Sequence, residues 1–111
     1  MDQHDNALRL LEHRIDQYNS HYRCDFNDIR VKKMKSRWGS CSEKKNLNFN
    51  VKILQLPLLL IDYIVVHELC HLIELNHSHK FWQLVAQTIP DHRVRRQELR
   101  QVQQHLTNKR Y

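Results

Sequence analysis

Glycine and proline are scarce in this sequence, which has one Gly and two Pro among its 111 residues. Turn-rich β-sandwiches and disordered linkers contain many more of these residues, so both classes are disfavoured. Apolar residues make up 41% of the chain, which suffices for one modest core. We therefore expect a single compact, helix-rich domain over residues 1–111.

Cysteine pairs and long apolar runs are also lacking. Cys24, Cys41 and Cys70 form no CxxC pair and are odd in number, so we expect no disulfide framework and a reducing compartment. The most apolar window, residues 56–66, is interrupted by Asp62 and is too short to span a bilayer. No signal-peptide pattern is visible at the N-terminus. These features predict a cytoplasmic protein with no membrane contact.

Acidic residues are outnumbered by basic ones, 12 to 18, which gives a formal net charge of +6. Clusters of basic residues either bind phosphates of nucleotides and nucleic acids or form a solvated face. The charge pattern does not decide between these interpretations, so contact with nucleic acid stays open. The basic residues concentrate in two groups: Lys32, Lys33, Lys35 and Arg37, and Arg93, Arg95, Arg96 and Arg100.

The first half of the sequence predicts one helix followed by strands. Apolar residues recur in steps of three and four over residues 5–22, which is typical of an amphipathic helix. A basic stretch with strand-like composition begins at Ile29. Residues 47–53 alternate strictly between apolar and polar, which predicts a half-buried strand with its asparagines on the polar face. We therefore expect a helix and loop over 1–27 and a sheet region over 28–56.

The second half, residues 57–111, predicts helices only. Pro57 suits the first turn of a helix that extends to about Leu75 and ends at Asn76 in the left-handed conformation. Ser78 can cap a short helix, and Asp91 can cap a last, very basic one. The order of elements indicates an α+β domain.

The predicted helix that begins at Pro57 carries the sequence HELCH at residues 67–71. Residues four apart on a helix are separated by about 40° around the axis and about 6 Å along it, so His67 and His71 can reach one ion. Zinc accepts imidazole nitrogen, and a catalytic zinc site has three protein ligands and a water. Glu68 can then act as the base that takes a proton from that water. The alternative is a hydrogen-bonded histidine pair in the core.

His77 is the favoured third ligand, because it follows His71 by the six residues found in metzincin peptidases. Metzincins have glycine midway, where this chain has Glu74, so we expect the turn to come from the residue before His77. Three alternatives remain: Glu74, which would share the helical face of the two histidines, His79 in the next helix, and Glu98 farther along the chain.

Four segments resemble the YgjP-like metal-dependent hydrolases, a family related to the SprT-like zinc metallopeptidases. They are RWGSCS at 37–42, LNFN at 47–50, DYIVVHELCHL at 62–72 and NHSHKFW at 76–82. The resemblance implies a zincin-like fold, in which a small β-sheet packs against the HExxH helix with flanking N- and C-terminal helices. It also implies that His77 completes the metal site.

The expected function is that of a zinc-dependent hydrolase. The favoured class is a metallopeptidase in which Glu68 activates a metal-bound water. Arg37 and Tyr63 are candidate substrate-binding residues, and a peptide or protein is the expected substrate. One alternative is a zinc-dependent nucleoside triphosphate (pyro)phosphohydrolase, with a nucleotide bound by the Lys32–Arg37 cluster. Another is a DNA-associated module of SprT-like type, either a protease or a binding protein.

Overall fold

The computed structural model describes residues 2–106, with side chains described as far as Gln103. Within that part of the chain, every helix is too short or too polar to cross a membrane. The elements, in chain order, are helix α1 (Gln3–Tyr22), strands β1 (Asp28–Lys32), β2 (Gly39–Cys41) and β3 (Asn46–Asn50), a 3₁₀ turn (Val51–Gln55), and helices α2 (Leu58–His71), α3 (His79–Ala86) and α4 (His92–Leu106).

The three strands form one mixed sheet in the order β1–β3–β2. β3 runs parallel to β1, with Val31 opposite Phe49, and antiparallel to β2, with Gly39 opposite Phe49. β2 therefore lies at one edge of the sheet. The α+β class and the packing of a small sheet beside the HELCH helix are as the sequence predicts, since α2 contacts β2 directly.

The predicted half-buried strand over 47–53 is wrong in two respects. β3 ends at Asn50, whose side-chain oxygen accepts a hydrogen bond from the Lys52 amide and so starts the 3₁₀ turn. All five residues of β3 are buried, so both faces of the strand are covered. The Asn50 side-chain amide donates to the carbonyls of Met34 and Arg37, at 2.9 Å each. These bonds satisfy a polar side chain that the alternation assigned to solvent.

Helix α2 is the central element of the core. Every residue from Leu60 to Val66 is buried, and the helix contacts α1, α3 and α4 as well as β2. A helix that is apolar on all sides is expected to be packed on all sides. The polar side chains of α2 therefore need hydrogen-bond partners from the rest of the fold.

α2 ends at His71, one turn earlier than predicted. The amides of Ile73 and Glu74 both donate to the carbonyl of Cys70, which closes the helix in a tight turn. Asn76 does not adopt the predicted left-handed conformation, since the non-glycine residues with positive φ in the described part of the chain are Arg23 and Lys45. Glu74 consequently lies in the turn and not on the helical face of His67 and His71.

The N-termini of the other helices follow from local signals, of which Ser78 and Asp91 were predicted and Asp2 was not. Asp2 caps α1 by accepting a hydrogen bond from the Asp5 amide at 2.9 Å. Ser78 caps α3 by accepting one from the Phe81 amide at 3.4 Å. α4 begins one residue after Asp91.

A buried ion pair joins α1 to α2. The Arg14 guanidinium donates two hydrogen bonds, each of 2.8 Å, to the two carboxylate oxygens of Asp62. The Tyr18 hydroxyl donates a third, also of 2.8 Å. The Asp62 side chain is 5% exposed, and its bond with Arg14 is the main cause of the raised pKa of that guanidinium. α1 is therefore fixed to α2 by charge as well as by apolar packing.

Replacing Asp62 with alanine should lower the free energy of unfolding by about 3 kcal/mol, because it leaves a partly buried arginine and a partly buried tyrosine without their acceptor. Urea denaturation measures this change. Asp16→Ala, on the exposed side of α1, is the matched control and should change stability by less than about 0.5 kcal/mol. Equal stabilities of the two variants would contradict the role of the ion pair.

Candidate active site

Three histidines meet at one end of α2. His67 and His71 project from the helix, and the turn after it brings His77 back towards them. The Nε2 atom of His77 lies 3.0 Å from Nε2 of His71 and 3.1 Å from Nε2 of His67. One ligand atom from each residue falls within 4.8 Å of the other two. The structure thus brings together the three histidines that the sequence singles out.

This donor set fits a transition-metal ion. Two nitrogens bound to a tetrahedral ion at about 2.0–2.1 Å lie about 3.3 Å apart, close to the distances between these rings. A neutral imidazole has one donor and one acceptor nitrogen, so three ring nitrogens facing one point cannot all satisfy each other by hydrogen bonds. Imidazole is a ligand suited to zinc, copper, iron and nickel.

Hydrogen bonds at Nδ1 of two rings favour the tautomer that a metal requires. Nδ1 of His71 lies 3.2 Å from the carbonyl oxygen of Glu74, and Nδ1 of His67 lies 3.3 Å from a carboxylate oxygen of Glu68. A proton held at Nδ1 leaves the lone pair of Nε2 directed at the site. Glu74 therefore serves the site through its main chain.

Burial favours the neutral form of His71 and His77. It is the main cause of the lowered pKa of His71, and the charge of His67 lowers that pKa further. Burial is also the main cause for His77, followed by the charges of His67, His71 and Arg96. Neutral rings are the form that binds metal.

The other candidate ligands lie elsewhere. In the described part of the chain, the group of converging ligand atoms does not include Glu74, His79 or Glu98. Cys41 lines the same cleft without joining this group, and Cys70 is fully buried; burial raises the pKa of these thiols to about 11 and about 12. Both are therefore protonated small side chains near pH 7, Cys70 fully buried and Cys41 partly buried.

Two aromatic residues of α3 support the histidines. Phe81 is fully buried and stacks on His71, with ring centroids 4.5 Å apart. Trp82 stacks on His77 at 5.9 Å, with an angle of 24° between the ring planes. These contacts fix the orientation of the rings at the end of the turn, as expected for aromatic residues at this spacing.

The cleft above the histidines has a volume of about 360 Å³. Both candidate substrate-binding residues line it: Arg37 is exposed, whereas Tyr63 is buried with its ring centroid 5.9 Å from that of His67. Burial raises the pKa of Tyr63 to about 12, so its phenol is neutral at pH 7. Arg96, which the sequence suggested only as part of a basic cluster, also lines this cleft. The position of Arg96 in the cleft results from the tertiary packing of α4, which the sequence alone does not show.

Comparison with known proteins identifies the family. The model of the YgjP-like metallopeptidase domain matches residues 3–102. The chain belongs to this family. No curated protein shows significant sequence similarity to the chain.

Two crystal structures of metallopeptidase zymogens are similar to this YgjP-like chain. Abylysin of Pyrococcus abyssi is 19% identical, with a TM-score of 0.77, over 91% of this chain and 99% of that one. Jannalysin of Methanocaldococcus jannaschii is 24% identical, with a TM-score of 0.71, over 86% and 97%. At these identities the likeness concerns the fold, which agrees with the predicted architecture. The relation to SprT-like peptidases stays a prediction.

The lone glycine of the YgjP-like chain explains part of the RWGSC segment. Gly39 lies in β2 against the side chain of Glu68, which is 2% exposed. A Cβ atom at Gly39 would lie 3.2 Å from Oε2 of Glu68 and 3.2 Å from the main-chain oxygen of Asn48. Its φ is not positive, so close approach and not backbone conformation accounts for glycine here. Trp38, the residue before it, is buried in the core as expected.

Replacing Gly39 with alanine should lower the free energy of unfolding by about 1–2 kcal/mol, because the new methyl group displaces Glu68 or the β3 main chain. Glycine-to-alanine changes at unhindered sites usually stabilise by about 0.4–1 kcal/mol, so the sign of the change is diagnostic. Chemical denaturation measures it, with Ser36→Ala in the exposed preceding loop as control. A stabilised Gly39→Ala variant would show that the contact with Glu68 is unimportant.

Proposed function

We propose that this chain is a zinc-dependent metallopeptidase in which His67, His71 and His77 hold the metal and Glu68 is the general base. The observation that carries the proposal is the convergence of three histidine ring nitrogens beside a buried carboxylate. The family to which the chain belongs consists of metallopeptidase domains, which supports the peptide bond as the target.

Each side chain has a role that follows from its position. Zinc held by the three histidines would supply Lewis acidity, polarising the scissile carbonyl and lowering the pKa of a bound water towards 7. Glu68 accepts a proton from the attacking water and donates it to the leaving amine. Its carboxylate is held in place by Gly39 on one side and His67 on the other. The neutral phenol of Tyr63 is available to donate a hydrogen bond to the substrate.

An extended peptide fits the shape of the cleft. β2 is an edge strand, and its three residues all line the cleft. A peptide can therefore add to the sheet along β2 and lie across the histidines, with its main-chain groups paired. Arg37 lies just before this strand and would contact the same peptide. A reducing compartment such as the cytoplasm is part of the proposal, since Cys24, Cys41 and Cys70 are unpaired.

The two alternative functions are separated by experiment. A nucleoside triphosphate phosphohydrolase would release phosphate or pyrophosphate, with the exposed Lys32–Arg37 cluster holding the substrate. A DNA-associated module would bind duplex DNA with an affinity that falls steeply with salt concentration. Cleavage of an unfolded protein such as casein, without either of these activities, is the result that the proposal predicts.

Replacing Glu68 with glutamine should leave the zinc content unchanged and lower the rate of peptide cleavage at least about 100-fold, because the proton acceptor is lost. Elemental mass spectrometry measures the zinc, and casein cleavage measures the rate. Glu74→Gln is the matched control: it makes the same chemical change at a residue that serves the site through its carbonyl. Full activity in a zinc-loaded Glu68→Gln protein would remove Glu68 from the mechanism.

A further inference from the structure

Arg96 is a cation inside the cleft for which the mechanism above has no use. It belongs to α4, is partly buried, and lines the same cleft as Glu68 and His77. It is one of the contributors to the lowered pKa of His77, after burial and the charges of the two other histidines. A positive charge therefore lies close to the histidine cluster, on the side of the cleft that α4 contributes.

Stacking on an aromatic ring holds Arg96 in place. The central carbon of its guanidinium lies 5.1 Å from the centroid of Trp82. Trp82 in turn stacks on His92 at 5.2 Å and 18°, and on His77 at 5.9 Å and 24°. A stacked guanidinium keeps the donors along its edge available for hydrogen bonds. The position of the guanidinium is thus set before any ligand arrives.

Among the side chains described up to residue 103, the ion pairs do not include Arg96. The neighbouring Arg95, by contrast, pairs with Asp91 at 3.2 Å. The residues three and four positions from Arg96 on α4 include no acid; they are His92, Arg93, Leu99 and Arg100. Glu68 is the one acidic residue among the described residues that line the cleft.

A fixed, partly buried guanidinium without an acidic partner is suited to bind an anionic ligand. Its planar fork matches a carboxylate, which accepts two parallel hydrogen bonds. Peptides offer carboxylates in acidic side chains and at the free C-terminus. Because Arg96 and the histidines share one cleft, a carboxylate bound there would lie near the scissile bond.

We propose that Arg96 is a specificity-determining residue that binds a carboxylate of the peptide substrate beside the histidine cluster. The chain then prefers peptides with an acidic side chain, or a free C-terminus, close to the bond that is cleaved. This inference rests on the proposed peptidase function, since it assigns the substrate class of the same site.

Binding to the zinc-loaded Glu68→Gln protein tests the proposal without turnover. The probes are N-acetylated hexapeptide amides based on alanine, with Glu or Gln at each position in turn, and the corresponding free acids. Nuclear magnetic resonance follows the Nε–H signal of Arg96 during titration. We expect the best Glu or free-acid peptide to bind about tenfold more tightly than its neutral analogue and to shift that signal. The two sets of probes distinguish a side-chain carboxylate from a terminal one.

Substitutions show whether Arg96 is responsible. In the same Glu68→Gln background, Arg96→Gln should abolish the difference between acidic and neutral peptides, and Arg96→Lys should retain part of it. Arg93→Gln, an exposed position on the same helix, should leave the difference intact. Thermal unfolding of each variant verifies that the fold is kept. The same preference in Arg96→Gln, equal binding of acidic and neutral peptides, or an Arg96 signal that responds to a nucleoside triphosphate but to no peptide would overturn the proposal.

The two proposals fail in different ways. If the wild-type protein cleaves no peptide while the Glu68→Gln protein keeps its Arg96-dependent preference for carboxylates, the peptidase function is wrong and the carboxylate site stands. If the wild-type protein cleaves peptides and Arg96→Gln changes neither binding nor the choice of cleavage sites, the carboxylate site is wrong and the peptidase function stands.

Discussion

The structure depends on one constraint: two histidines and a glutamate project from a helix that is packed on every side. Polar groups withdrawn from water cost free energy unless they have partners. The fold supplies those partners locally, through the carbonyl of Glu74 for His71 and the ring of His67 for Glu68. The ring nitrogens that face the cleft point at one another, an arrangement that a bound metal would stabilise. The need to provide partners for the polar side chains of α2 thus explains the arrangement of the site.

The remaining elements serve this helix. α1 is joined to it by the ion pair between Arg14 and Asp62. Asp62 precedes the two histidines in α2, so the ion pair holds the first half of the helix. β2 approaches so closely that a Cβ atom at Gly39 would crowd Glu68. α3 and α4 contribute aromatic and cationic side chains around the third histidine. A domain of this size can therefore support a buried polar site because each layer contacts the helix that carries it.

Local sequence signals predicted much of the fold and the site. The capping residue of α3, the HELCH helix and the convergence of His67 and His71 all follow from short-range periodicity and hydrogen bonding. Features that arise from tertiary packing were missed. The alternation in β3 placed Asn50 in solvent, because the sequence does not show that main-chain carbonyls from the preceding loop cover it. The position of Arg96 in the cleft is likewise set by the packing of α4 and not by its neighbours in sequence.

The most direct test of the account is the zinc content of purified protein, measured by elemental mass spectrometry in the wild type and two single variants. The account predicts about one zinc per chain in the wild type. His77→Ala should lose most of the metal, whereas His79→Ala, two residues away and outside the cluster, should keep it. Full zinc retention in His77→Ala, or no zinc in the wild type after zinc is supplied, would contradict the proposed metal centre.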